Sequence, residues 1–103
     1  MKLMLRAAAV TLAAVGITPL AGTADSQGIA SINSRCTPCH GEAGRSTDPD
    51  VPRLNGQQAA YLAKSLRDYR SGHRPHADMQ RVTEGMSDTD IHALANYFAH
   101  QPL

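Results

Sequence analysis

The sequence predicts a small all-α domain of three to five short helices joined by long loops. Apolar residues recur at three- and four-residue spacing over 57–69 and again after residue 87, which is the pattern of helices with one buried face. Segments 41–56 and 72–86 are rich in Gly, Pro, Asp and Asn, which is typical of loops. No stretch alternates apolar and polar residues convincingly enough to predict a strand.

Three helical tracts precede the last one. Residues 28–35 place two isoleucines three apart, so that they share a face. The tract over 57–69 has a one-sided apolar stripe, and Gly72 is expected to end it. A single helical turn is expected over 78–82, inside the second loop.

The last tract carries the clearest helix start. Ser87 is a good N-cap, and Asp90 stands three residues later, in the capping-box position. Four apolar residues at helical spacing are predicted to form its buried face: Ile91, Leu94, Ala95 and Phe98.

The N-terminus has the layout of a secretory signal peptide. Lys2 and Arg6 supply positive charge, and a short apolar run over 7–20 follows. A transmembrane helix needs about 20 apolar residues, so this run is short for one. The sequence therefore predicts a signal peptide over 1–24 and a single domain over 25–103.

Small residues place the predicted cleavage after Ala24, and a cut after Ala21 is the alternative. A retained anchor helix is the other interpretation, but Gly16 and Pro19 argue for cleavage. Cleavage would change the formal net charge from +1 to −1. No run of like charge remains, so the composition does not predict a nucleic-acid partner.

The only two cysteines stand in a motif that predicts covalent haem. Cys36-Thr37-Pro38-Cys39-His40 matches the Cys-x-x-Cys-His pattern of c-type attachment. In that chemistry the two thiols add to the haem vinyl groups, and the histidine that follows reaches the iron. The chain has no Trp, one Phe and three Tyr, so a large cofactor would complete an otherwise thin core.

Three other uses of these cysteines are conceivable. A thioredoxin-like site needs a βαβ setting, which the surrounding sequence does not have. A zinc site needs four ligands, for which His73 and His76 are the conceivable second pair. A structural disulfide between Cys36 and Cys39 would close a very small loop and stabilise little.

A second axial ligand for the iron is expected to be a methionine. Two methionines lie outside the predicted signal peptide. Met86 directly precedes the N-cap, where an apolar residue often packs as a hydrophobic staple. We therefore assign Met79, inside the second loop, to the iron, since Met/His ligation is usual in c-type carriers. Bis-histidine ligation through His73 or His76 is the alternative.

Across 25–103 the chain resembles the class I cytochrome c family, in particular one half of a cytochrome c4 or a small cytochrome c5 or c553. The resemblance rests on the attachment motif, on Gly28 before it, on 51–57, which is similar to a Pro-x-Leu-x-Gly-Gln segment, and on 94–98 in the closing helix. The resemblance implies a cytochrome c fold wrapped around one haem c.

The resemblance also implies roles for individual residues. The carbonyl of Pro52 would accept a hydrogen bond from His40, which orients the imidazole. The Met79-to-Ser87 spacing matches that of the family's ligand methionine, and an aromatic of the closing helix would pack on Gly28. Cytochrome c4 has two haems in tandem, whereas this chain has one attachment motif.

The sequence therefore predicts a periplasmic one-electron carrier and not an enzyme. Its partners would be redox proteins, such as a membrane oxidase or a dehydrogenase, with no nucleic acid and no membrane insertion after cleavage. The first alternative is a haem subunit of an oxidoreductase complex, for example one that oxidises a sulfur compound. The second is a haem enzyme or gas sensor in which Met79 leaves the iron.

Overall fold

A computed structural model describes residues 3–5, 7–16 and 22–103. In these ranges the chain forms helices and no strand, so the all-α prediction is confirmed. The helices are α1 (Gly22–Asn33), α2 (Thr37–His40), α3 (Ala59–Ser71), α4 (Ala77–Thr83) and α5 (Asp88–Ala99), with a 3₁₀ turn at Glu42–Gly44.

Helix α5 forms the centre of the domain and packs against both α1 and α3. Its predicted capping box is present, with the Ser87 hydroxyl accepting from the Asp90 N–H and the Asp90 carboxylate accepting from the Ser87 N–H, each at 3.0 Å. Ile91 and Leu94 are fully buried, and burial of each such side chain contributes about 1.5–3 kcal/mol. The predicted buried face is therefore confirmed.

Helix α3 lies two residues later at each end than the sequence predicted. Leu62 and Ala63 are buried against α5, while Tyr61 remains half exposed. Gly72 ends the helix in the left-handed conformation, as expected, with φ of 80°.

Helix α4 corrects the prediction of a single turn inside a loop. It spans seven residues, and the side chain of His76 caps its N-terminus. Histidine is not among the usual capping residues, and the two large apolar residues of α4, Met79 and Val82, are too few to establish a helical period. Met79 consequently lies in a helix, whereas the sequence placed it in a loop.

Helix α1 corrects a second prediction, because it begins before residue 28 and ends at Asn33. Gly28 is exposed, and a β-carbon placed on it would meet no atom within 4 Å. The expected packing of an aromatic on Gly28 is therefore wrong. Phe98 lies instead against Gly44, where a β-carbon would come within 2.9 Å of the Phe98 ring.

Backbone hydrogen bonds join the loop after α2 to the end of α5. The Leu54 N–H donates to the Gly44 carbonyl at 2.9 Å, and the Gly56 N–H donates to the Phe98 carbonyl at 2.9 Å. The Asn55 amide donates to the Pro102 carbonyl at 2.9 Å. These bonds fix the course of a segment that has little regular structure of its own.

The predicted signal peptide lies partly outside the described residues, at 1, 2, 6 and 17–21. Its boundary at Ala24 stays a prediction. Among the residues that the structure does describe, no helix has the length and apolar character needed to cross a membrane.

Candidate functional site

The attachment motif occupies the turn between α1 and α2 and all of α2. Cys36 stands at the N-cap of α2, and the His40 N–H donates to its carbonyl at 2.9 Å. In a helical turn, residues three and four apart lie on one face. Cys36 therefore neighbours both Cys39, three residues on, and His40, four residues on.

His40 is buried, with 8% of its surface exposed, and its ring is held by one contact. The Nδ1 atom lies 2.9 Å from the carbonyl oxygen of Pro52. A carbonyl can only accept, so this contact assigns the ring hydrogen to Nδ1 and leaves the Nε2 lone pair for a metal. The contact that the resemblance implied is present.

The two thiols differ in their surroundings. Cys36 is buried and Cys39 is exposed, and both are free. Burial raises the pKa of the Cys36 thiol, and the positive charge of Arg35 offsets part of that rise. Redox-active cysteines have a lowered pKa instead, so the environment of Cys36 argues against a thioredoxin-like site.

The described part of the chain contains no set of side chains that could bind zinc. No three side chains of His, Cys, Asp or Glu come together there to hold a metal ion. His73 and His76 are exposed, in the connection between α3 and α4 and at the start of α4. They therefore do not join the cysteines in a four-ligand site.

The donor set of the motif does fit a haem. It offers two free thiols for the vinyl groups and, four residues after the first thiol, a histidine whose Nε2 is available as a ligand. The neutral, oriented imidazole is the form in which histidine binds metals.

The two candidate methionines occupy different environments. Met86 has 4% of its surface exposed and belongs to the hydrophobic core, which confirms its predicted packing role. Met79 is partly buried on α4 and lies outside that core cluster. The Met79 side chain is therefore the one of the two that packing does not account for.

Side chains fix the backbone around Met79. Its N–H donates to His76 Nδ1 at 3.3 Å, and its carbonyl accepts from the Thr83 hydroxyl at 2.8 Å. Further on, Arg70 of α3 donates to the Met86 carbonyl at 2.9 Å and to the Asp88 carboxylate at 2.6 Å. We call residues 76–88 the ligand segment.

Sequence reasoning missed Arg70, Thr83 and the capping role of His76. Arg70 lies 16 residues from the carbonyl it contacts, and nothing local in the sequence indicates that pairing. The spacing of His76 three residues before Met79 was available as a signal, since N-cap side chains accept from the third helical residue.

A separate groove lies between α1 and α5. It has a volume of about 710 Å³ and includes Ile29, Ile32 and Tyr97 in its lining. None of the attachment residues lines it, so it is not the candidate cofactor site.

Known proteins with similar sequences carry the same kind of site. The model of the family described as cytochrome c matches residues 26–101. A cytochrome c4 of Pseudomonas aeruginosa is 36% identical over 94 residues, which cover 90% of this chain and 45% of that protein. A thiosulfate dehydrogenase electron acceptor of Stutzerimonas stutzeri (strain A1501) is 40% identical over 68 residues, covering 63% of this chain and 32% of that protein.

A solved structure agrees as well. The crystal structure of reduced recombinant cytochrome c4 from Pseudomonas stutzeri superposes with a TM-score of 0.65 at 33% identity. The match covers 76% of this chain and 48% of that one. The chain therefore spans about half the length of the cytochromes c4 that it matches.

Proposed function

Because the chain belongs to the cytochrome c family, whose members bind haem c covalently, we propose that it is a one-electron carrier with a single haem. The haem would be attached through Cys36 and Cys39, with His40 and Met79 as axial ligands. The observation that carries the proposal is the 2.9 Å contact between His40 Nδ1 and the Pro52 carbonyl, which leaves Nε2 available for iron.

The protein's own residues then set the properties of the site. The Pro52 carbonyl orients the His40 ring and raises its basicity as a ligand. Because His40 is buried, its ring is shielded from water. When bound, the haem supplies a reversible one-electron iron couple, and a methionine ligand raises its potential relative to a second histidine.

Two protein ligands leave no open position for a substrate, which favours electron transfer over catalysis. A protein with both ligands in place in each redox state needs little rearrangement when it gains or loses an electron. Met79 is the ligand whose loss would turn the site toward gas binding or catalysis. Partners would be redox proteins that dock briefly, since such encounters bury small areas.

We place the carrier in the periplasm, after removal of residues 1–24. The basic and then apolar layout of those residues supports export. Covalent attachment of haem c outside the cytoplasm agrees with that location.

The test is an absorption spectrum of the exported protein, oxidised and reduced, with a haem stain after denaturing electrophoresis. We expect haem to stay with the polypeptide and a methionine-to-iron charge-transfer band to occur in the red for the oxidised form. Binding of carbon monoxide by the reduced protein at neutral pH without denaturant would favour a gas sensor or haem enzyme instead.

A second candidate function is that of an electron-transfer subunit in a sulfur-compound oxidoreductase. The 30% identity with a cytochrome subunit of sulfide dehydrogenase from Chlorobaculum tepidum favours it. Purification of the tagged protein from its native host distinguishes the two. A stable 1:1 complex with a dehydrogenase would support the subunit, and elution as a single polypeptide would support the free carrier.

A further inference from the structure

The peptide groups of Met79 are held on both sides by side chains rather than by a long helix. The His76 ring accepts from the Met79 N–H at 3.3 Å, and the Thr83 hydroxyl donates to the Met79 carbonyl at 2.8 Å. Helix α4 has only seven residues, and helices that short are not stable in water by themselves. The position of Met79 therefore depends on contacts that anchor this helix.

Thr83 is the most deeply buried polar residue of the ligand segment, with 0% of its surface exposed. A buried hydroxyl without a partner is costly, so this one must bond within the protein. Its acceptors are the carbonyls of Met79, at 2.8 Å, and of Gln80, at 3.2 Å. The packing that buries Thr83 is thereby coupled to the backbone of Met79.

His76 is oriented by α3. Its ring meets the ring of Tyr69 edge to face, with centroids 6.0 Å apart. The Arg74 guanidinium covers Tyr69 at 4.7 Å from the ring centroid. These contacts direct His76 Nδ1 to the Met79 N–H.

We propose that Thr83 and His76 are positioning residues that hold Met79 as the axial ligand. This inference rests on the proposed function, because it requires Met79 to bind the iron. Neither residue would touch the iron. Their removal would make Met79 easier to displace by an external ligand, while the His40 side of the site would stay unchanged.

The test is displacement of Met79 by imidazole in the oxidised holoprotein, followed by loss of the red charge-transfer band. Thr83→Val keeps the shape of the side chain and removes its donor, whereas Thr83→Ser keeps the donor. A buried hydrogen bond corresponds to about a fivefold change in an equilibrium constant. We expect Thr83→Val to need about fivefold less imidazole than the wild type for half displacement, and Thr83→Ser to resemble the wild type.

His76 is tested in the same way. His76→Ala should also lower the imidazole requirement, and His76→Asn should restore it, because asparagine is a good N-cap acceptor. Two controls remove comparable bonds elsewhere. Ser71→Ala loses a hydroxyl that donates to the Asp68 carbonyl, and His100→Ala loses a ring that contacts the Asn96 carbonyl. Both controls should match the wild type.

The outcomes separate this inference from the proposed function. If Met79→Ala keeps the red band, Met79 is not the ligand; the positioning role is then overturned, while the one-electron carrier stands with Met86 as the methionine ligand. If Met79→Ala loses the band while Thr83→Val and His76→Ala titrate like the wild type, only the positioning role is overturned. A shift in the two controls equal to that in Thr83→Val would also overturn it, since the effect would then reflect general destabilisation.

Discussion

The attachment side of the site and the ligand segment are held by different kinds of contact. On the attachment side, the Pro52 carbonyl meets His40, and backbone bonds fix the loop from Gly44 to Gly56. In the ligand segment, backbone bonds form α4, and the side chains of His76, Thr83 and Arg70 supply the further contacts to the backbone of Met79 and Met86. Backbone contacts survive most substitutions, whereas side-chain contacts are lost one at a time. The His40 ligand should therefore be robust and the Met79 ligand adjustable.

The largest effect is expected on the attachment side. Replacing both cysteines, Cys36→Ala with Cys39→Ala, removes both thiols and should abolish covalent haem completely. Electrophoresis under denaturing conditions with a haem stain measures this directly. Covalent haem in the double variant would contradict the assignment of the motif.

Next in size is removal of the ligand itself. Met79→Ala should abolish the red charge-transfer band and lower the reduction potential, since the methionine sulfur favours reduced iron. Met86→Leu is the matched control. It should keep the band and cost less than about 1.5 kcal/mol of unfolding free energy, because a core swap conserves volume. The reverse pattern would transfer the ligand role to Met86.

Substitutions at two glycines with positive φ, Gly44 on the attachment side and Gly85 in the ligand segment, allow the packing of the two regions to be compared. A β-carbon on Gly44 would lie 2.9 Å from both Leu54 and Phe98, whereas one on Gly85 would meet nothing within 4 Å. Gly44→Ala should cost about 2–5 kcal/mol, from the positive φ and from overpacking together. Gly85→Ala should cost only the conformational part, about 1–2 kcal/mol. Denaturant unfolding of the holoproteins measures both, and equal costs would mean that the loop near Gly44 is loosely packed.

The sequence predicts the features that depend on neighbouring residues, and it does not predict those that depend on residues far apart in the chain. The motif at 36–40 and the cap at Ser87 are local patterns, formed by residues that are neighbours in the chain, so the sequence predicts both. Helix α4 was underestimated because a histidine caps it and its surface is mostly polar. The contact of Phe98 with Gly44, rather than Gly28, depends on a loop whose course is set by distant carbonyls. The spacing of apolar residues does not indicate which loop packs against a helix.

Arg70 connects the ligand segment to α3, and its loss should have a moderate effect. It donates to the Met86 carbonyl at 2.9 Å, and a hydrogen bond from a charged group is worth about 1.5–3 kcal/mol. Because Arg70 is partly exposed, we expect Arg70→Met to cost about 1 kcal/mol of unfolding free energy. Arg67→Met on the same helix is the control, since Arg67 forms no side-chain hydrogen bond within the described ranges. Equal losses would show that the guanidinium contact is not responsible.

The smallest expected effect depends on pH and concerns Asp88, which bonds to Arg70 at 2.6 Å. The hydrogen bond and the charge of Arg70 lower the pKa of Asp88 in the folded protein. A lowered carboxylate pKa adds stability above the unfolded value of about 3.9, and this stability is lost as the pH falls through the folded value.

Asp88→Asn should therefore be slightly less stable than the wild type at neutral pH, and the difference should vanish in acid. Unfolding at several pH values measures it, and the same substitution in an Arg70→Met background should show no pH-dependent difference. A difference that persists there would mean that Asp88 acts through the N-terminus of α5 or the charges of Arg67 and His92, rather than through Arg70.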